Sequence, residues 1–393
     1  MRATRQEASA RAEVEPGANR RHGEVNMTTG DSPPKMRPNN ARPFGETPRP
    51  APGRHAGRAR TRGSEARVGV ENLAGNGSPE RAAGGAAGRV KPVVATDALI
   101  LLGVPVLAGI SWLLPERSWP LIARALGPLY APAQGMGRRA RRLHRLQAAF
   151  TPDRSTAWLG AALRELAAQD ILSRIELLRD HRPGGWKPAI ELSGREHLET
   201  AIKRGRGAIL WIGHFVHANL VAKMAFHRAG AAVTHLSRPS HGFSSSRLGM
   251  RYLNRVVTAV EDRYLRARVL LSEDGSAAPA LAVLEARLKD NGVVSISVRG
   301  TSRRPVAAPF LAGEISLAPG APSLAHRSGA ALLPVFPVRN EAGGFTVFVE
   351  PPLTVDRSID RREASVAAIR EYAGRLEPYV LAHPGQWMGW FRA

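Results

Sequence analysis

The chain has 393 residues, with 56 Lys or Arg against 33 Asp or Glu, a formal net charge of +23, and no cysteine. The missing thiol excludes disulfides, thiolate metal sites and a cysteine nucleophile, and it fits a reducing cytoplasmic setting. A charge of this size attracts polyanions such as nucleic acid, anionic lipid headgroups or an acidic carrier protein, and no nucleic-acid-binding module is recognisable beside it.

Residues 1–90 are rich in Arg, Gly, Pro and Ala, as in Pro48-Arg49-Pro50-Ala51-Pro52-Gly53-Arg54. Such a stretch buries too little apolar surface to offset its ordering entropy, so a disordered basic tail is expected. It has no apolar core of the length a secretory signal needs. An alternative is that Met27 or a later codon is the true start.

The character changes at Val93. Ala98 to Leu114 carries no charge, with Asp97 at its upstream end and Pro105 inside it. This segment, within 91–116, reads as a membrane anchor helix, with a buried core helix as the alternative. Residues 117–186 form a helical, membrane-proximal region. Its run Arg138, Arg139, Arg141, Arg142, His144 and Arg145, interleaved with Leu143 and Leu146, suits either an amphipathic helix on an anionic membrane or a solvated helix face. From Ser155 to Arg179, Leu159, Leu163, Leu166, Ile171, Ile175 and Leu178 recur at helical spacing.

Residues 187–393 alternate between strand and helix. Strands are expected at 208–212, 232–236, 293–298, 306–311, 332–338 and 345–349. Helices are expected at 220–229, 247–260, 277–288, 319–327 and 361–381. The alternation implies an α/β fold with a largely parallel central sheet flanked by helices.

Gly213 and His214 directly follow the buried run Ala208–Ile212 and precede a helix. That puts an imidazole at the carboxyl end of a strand, where open α/β sheets place their ligand sites. A histidine there suits general-base work on a hydroxyl, although many strand-end histidines are structural. His214 and His217 have no acidic ligand adjacent in sequence, so no metal site is expected. No phosphate-binding glycine motif follows a strand, and no cofactor is expected. Trp387 and Trp390 read as core or membrane-interface residues.

Four blocks carry a resemblance. They are Gly205-Arg206-Gly207-Ala208-Ile209-Leu210 leading into Gly213-His214-Phe215; Leu236-Ser237-Arg238-Pro239; Pro309-Phe310-Leu311-Ala312-Gly313 with Ala318–Ala325 and Gly329–Phe336; and His383-Pro384-Gly385-Gln386-Trp387-Met388-Gly389-Trp390-Phe391-Arg392. Together they resemble the bacterial lipid A biosynthesis acyltransferases, the lauroyl and myristoyl transferases of the lysophospholipid acyltransferase superfamily.

The resemblance implies acyl transfer from a thioester, on acyl carrier protein or coenzyme A, to a hydroxyl of a lipid or glycolipid. The place would be the cytoplasmic face of the inner membrane, against anionic lipid. It makes His214 the base of a His-x4-Asp/Glu motif. The acid's position holds Asn219, which orients a ring but supplies no negative charge. In the serine-protease triad an Asp-to-Asn change lowers turnover about 10⁴-fold. An impaired homologue that binds lipid or a partner is therefore the alternative, and Asp262, Glu273 and Asp274 are candidate replacement acids.

A second departure is Arg299, standing where the superfamily's Glu-Gly-Thr block has its glutamate. Arg299, Arg303, Arg304 and Arg238 are expected to grip an anionic group, a solvated arginine loop being the other reading.

Overall fold

The computed structural model describes residues 92–133, 143–144, 146–150, 154–272, 276–298 and 304–391. The tail over 1–90, most of the basic run 138–145, and the residues Glu273, Asp274, Arg299 and Arg303 lie outside them.

Helix α1 (Ala95–Leu113) runs on through Pro105. Its first turn is held by Asp97, whose carboxylate accepts from the Val94 N–H at 2.8 Å and from the Ser244 hydroxyl. A carboxylate suits this position, where helix N–H groups have no partner within the helix. Asp97 is fully buried, so the bond to Ser244 pins the start of α1 onto the α/β body. The other end is pinned by Trp112, whose Nε1–H donates to the Leu178 carbonyl at 3.0 Å while its own carbonyl accepts from Arg182 at 2.7 Å.

Among the described residues no helix is long and apolar enough to cross a membrane. Helix α2 (Trp119–Ala133) and the long α3 (Thr156–Arg179) follow. Ser155 caps α3 by accepting from the Trp158 N–H at 3.2 Å, satisfying one of the free donors of the first turn.

The α/β part begins with β1 (Ile190–Ser193), α4 (Arg195–Lys203) and β2 (Ala208–Ile212). Next come α5 (Ala218–Arg228), β3 (Val233–Ser237), a π-helical turn over Gly249–Leu253, α6 (Asn254–Asp262) and β4 (Ala267–Leu270). After α7 (Ala278–Lys289) and β5 (Val293–Ser297) the chain forms β6 (Val306–Phe310), β7 (Gly313–Leu317) and α8 (Gly320–Ser328). It closes with β8 (Ala331–Arg339), β9 (Phe345–Val349) and α9 (Arg361–Ala382).

Among the described residues seven strands form one sheet in the order β1-β9-β8-β2-β5-β3-β4. All neighbours are parallel except β8 and β9. β2 lies between β8 and β5 and is buried along its whole length. That explains its uninterrupted apolar run, since a central parallel strand is covered on both faces. Trp211 of β2 lies against Tyr372 of α9 with ring centroids 4.1 Å apart, fixing the last helix to the middle of the sheet.

The chain enters β2 through Gly207. Its φ is +71°, and a Cβ there would fall 2.6 Å from the Gly292 carbonyl oxygen. Only glycine fits both the left-handed backbone and the close approach.

The expected strand over 306–311 is present but pairs antiparallel with β7 as a separate hairpin, outside the main sheet. β1, α4, β4 and β7 were not anticipated.

Candidate active site

β2 ends at Ile212, and the Gly213 N–H donates to Val335 of neighbouring β8 at 2.7 Å. The chain then turns through Phe215 and His217, whose φ of +56° sends it into the first turn of α5. The loop is held from outside by the C-terminal block. The Val216 N–H donates to the Gln386 carbonyl at 2.8 Å, and the Met388 N–H donates to the His214 carbonyl at 2.9 Å. Phe215 and Trp387 form a β-bridge with their rings 5.1 Å apart. Gln386 is anchored by its side chain, which accepts from the Arg339 N–H at 2.8 Å and donates to the Arg339 carbonyl at 2.9 Å. Trp387 and Trp390, 3% and 5% exposed, are core residues.

His214 lines a small pocket of about 250 Å³ together with Asn219, Asp170, His241 and Glu261. The sheet and helix pairing thus bring His214 and the motif position 219 to one cavity. The Asn219 Oδ1 accepts a hydrogen bond from the Ser297 hydroxyl at 2.7 Å. Ser297 lies at the end of β5, directly beside Ile212 in the sheet register.

Of the replacement acids considered above, Asp262 is half exposed and pairs with the Arg268 Nε at 2.7 Å; it does not line this pocket. The carboxylates that do are Asp170, paired with Arg174 at 3.0 Å, and Glu261.

Glu261 is the centre of a buried charge cluster. The Lys223 ammonium lies at 2.6 Å, the Arg268 guanidinium at 2.8 Å and the His241 Nε2 at 3.0 Å. Burial pushes the Glu261 carboxyl up, but Lys223, His241 and Arg268 outweigh it and hold the group well below the usual carboxylate range. Burial brings Lys223 down to about 8 against the pull of Glu261. Lys223 carries a signal in the sequence, as a lone charge inside Leu220-Val221-Ala222-Lys223-Met224-Ala225-Phe226. A charge in such a run needs a buried partner.

His217 belongs to the loop's support. It is buried, 5.0 Å from the Trp186 ring and 3.8 Å from Glu176. Burial, and next Arg339, pushes its imidazole down to about 3, so the ring stays neutral. Arg339 grips Glu176 with two bonds of 2.8 and 2.7 Å and reaches Gln169 at 2.8 Å.

Beside the pocket lies a larger cleft of about 1640 Å³. Arg238, Arg247 and Arg251 line it together with Trp211, Leu281 and Ile296. Cationic and apolar groups therefore face one space, suited to a substrate with a charged end and a hydrocarbon end. Arg304 is exposed and does not line this cleft.

The site is thus a largely parallel α/β sheet with a histidine at the end of its central strand, beside a cleft that is both cationic and apolar. The profile of the bacterial lipid A biosynthesis acyltransferases matches residues 95–393, and the chain belongs to that family. A phosphatidylinositol mannoside acyltransferase from Mycobacterium tuberculosis H37Rv is 27% identical over 199 residues, covering 50% of this chain and 57% of the relative. The same enzyme from the CDC 1551 strain matches equally. The chain thus aligns with little more than half the length of these relatives.

Proposed function

We propose that this protein is an acyltransferase that moves a fatty acyl chain from a thioester donor, acyl carrier protein or coenzyme A, to a hydroxyl of a lipid or glycolipid at the cytoplasmic face of the inner membrane. The observation that carries the reading is the cleft, where Arg238, Arg247 and Arg251 face the same space as Trp211, Leu281 and Ile296. Guanidinium groups suit the phosphates of a donor or a phospholipid acceptor, and the apolar wall suits an acyl chain. The likeness to the mycobacterial phosphatidylinositol mannoside acyltransferases supports a phosphoinositol glycolipid as acceptor. Arg299 and Arg303 join Arg238 as the anionic-substrate contacts of this reading.

His214 is the base. It takes the proton of the acceptor hydroxyl as the oxygen bonds the thioester carbonyl carbon, and the carbon–sulfur bond breaks to release the thiol. Asn219, held by Ser297, contributes orientation without charge. One observation favours a second reading: with an amide at the acid's position, the chain is an impaired homologue that binds lipid without turnover.

Transfer of labelled acyl groups from a thioester to glycolipid vesicles separates the two readings. Wild type is expected to be active and His214→Ala to lose at least about 10²-fold. Asn219→Asp, near-isosteric and still able to accept from Ser297, is expected to be faster than wild type. An inactive wild type with an active Asn219→Asp variant selects the binding reading. Equal rates in all three discard the base role of His214.

A further inference from the structure

One wall of the cleft is the segment that carries Ser245, Arg247, Met250 and Arg251. It is built as a firm rim, in which buried residues interleave with exposed ones. Ser244, Ser246 and Gly249 are buried, while Ser245, Arg247 and Arg251 are exposed. The Ser246 hydroxyl accepts from the Gly249 N–H at 2.8 Å. A Cβ at Gly249 would fall 2.2 Å from the Ser244 Cβ, so only glycine fits there. Asn254 closes the rim from behind, accepting from the Ser244 N–H at 2.9 Å and donating to the Ser244 carbonyl at 2.8 Å. The rim runs into the π-helical turn Gly249–Leu253. There the Arg251 guanidinium lies 5.6 Å from the ring of Tyr252, which is 55% exposed.

This same rim holds the start of α1. The Asp97 carboxylate accepts from the Ser244 hydroxyl, and the Leu248 N–H donates to the Pro92 carbonyl at 3.1 Å. Exposed Val93 therefore stands beside the rim, and the apolar surface continues from it along α1 through Leu99, Leu102, Val106 and Leu113. Among the described residues, nine of the twelve exposed large apolar side chains lie within 93–121, and Tyr252 on the rim is a tenth. Exposed apolar surface is thus gathered on one side of the cleft. Among the described residues neither Arg247 nor Arg251 has a carboxylate partner. On the opposite wall Arg327 is paired with Glu285 at 3.3 Å. Leucines beside arginine and tyrosine match the layers of a leaflet, because hydrocarbon accepts the former while guanidinium and phenol sit at headgroup depth.

We propose that the rim 245–252 rests on the headgroups of an anionic phospholipid leaflet whose hydrocarbon takes the apolar strip of α1, so that the cleft opens sideways into lipid along its Arg247–Arg251 wall. The assignment rests on the acyltransferase reading and deepens it, since it fixes the edge by which a lipid acceptor enters. Such an acceptor reaches the cleft by diffusing within the leaflet. Its phosphate meets the rim guanidiniums while its chains are still in hydrocarbon, and it never crosses water. The opposite wall, with Leu281 of α7, Ser323 of α8 and Arg361 of α9, then faces the aqueous side and is left for the soluble donor. The tie through Asp97 and Ser244 keeps rim and strip at one depth, because it joins the buried row of the rim to the first turn of the helix.

Depth measurement on the full-length protein tests the orientation. The chain has no cysteine, so a single introduced cysteine carries the only fluorescent label. Leu102→Cys reports on the strip, Ser245→Cys and Tyr252→Cys on the rim, and Arg361→Cys on the opposite wall. Each labelled protein is mixed with phosphatidylglycerol vesicles bearing a nitroxide either on the headgroup or at mid-chain. The Leu102 label is expected to be quenched best from mid-chain, the two rim labels best from the headgroup, and the Arg361 label by neither. Rim labels that stay unquenched while Leu102 is quenched overturn the proposal, as does an Arg361 label quenched as strongly as the rim. An unquenched Leu102 label removes the strip from lipid and overturns it too. A second measurement needs no label. The double variant Arg247→Gln, Arg251→Gln is expected to bind phosphatidylglycerol vesicles roughly 30-fold more weakly than wild type and phosphatidylcholine vesicles equally. Equal binding to both lipids denies the rim its headgroup contact. None of these readouts requires turnover. A quenched rim on an enzyme that transfers no acyl group strikes the acyltransferase reading alone, and an active enzyme with an unquenched rim strikes the orientation alone.

Discussion

At the scale of single residues, the chemistry turns on which side chains are charged. His217 is the clearest case of a group kept neutral by its surroundings. Its folded value near 3 lies below the ordinary 6.5 because it is buried beside Arg339. Between those values the unfolded chain binds a proton that the folded chain does not, so this residue's contribution to stability falls as pH falls. From pH 7 to pH 5 the loss is about 2 kcal/mol. Urea unfolding at the two pH values should show His217→Gln losing that much less than wild type; an identical loss would mean the ring is not held neutral.

The sequence made part of this residue-level picture legible. His214 and Asn219 stand out because a buried strand runs straight into them. Glu261, His241 and Asp170 did not, because each reaches the pocket from an element remote in sequence. Lys223 alone announces a buried partner, as a charge in an apolar helix, and nothing local says that the partner is 38 residues away.

At the scale of elements, the His214 loop is a shared structure. Its inner side is β2, and its outer side is the segment Gln386–Met388, bonded to it through Val216 and His214. Gln386 transmits the position of β8 to that segment through its paired bonds with Arg339. Gln386→Ala strands both backbone groups, at a cost of about 1–3 kcal/mol. A lowered urea midpoint and a fall in kcat larger than any change in KM are the expected results. A variant with wild-type kcat would separate the loop from this support.

The strands with continuous apolar runs were readable, because central parallel strands leave no polar face. β1 and β4, the two edge strands of the sheet order, were not. Their four residues, Ile190–Ser193 and Ala267–Leu270, are too short for an alternation to stand out. The run 306–311 was readable as a strand, but its partner was not, since pairing depends on the turn Leu311–Ala312 that returns the chain into β7.

At the scale of the whole molecule, the apolar surface is lopsided. Leu99, Leu102, Val106 and Leu113 of α1 and Leu121 of α2 are exposed, while Asp97 and Ser111 of α1 are buried. A solvated helix has the reverse arrangement. This surface suits the plane of a bilayer, and the excess of positive charge suits anionic headgroups. Sedimentation with anionic vesicles is expected to carry down the wild type, and to carry down far less of a Leu102→Glu, Leu113→Glu double variant. High salt is expected to weaken binding only in part. Undiminished binding of the double variant would place the membrane contact elsewhere.

The clasp between the His214 loop and residues 386–388 also sets an order in time. β2 and its loop leave the ribosome before the neighbours β8 and β9 and the clasp itself are made. Until then a nascent chain holds its histidine on an unclosed loop. The protein gains its chemistry only when the last part of the described chain has folded back onto the first strand of the site.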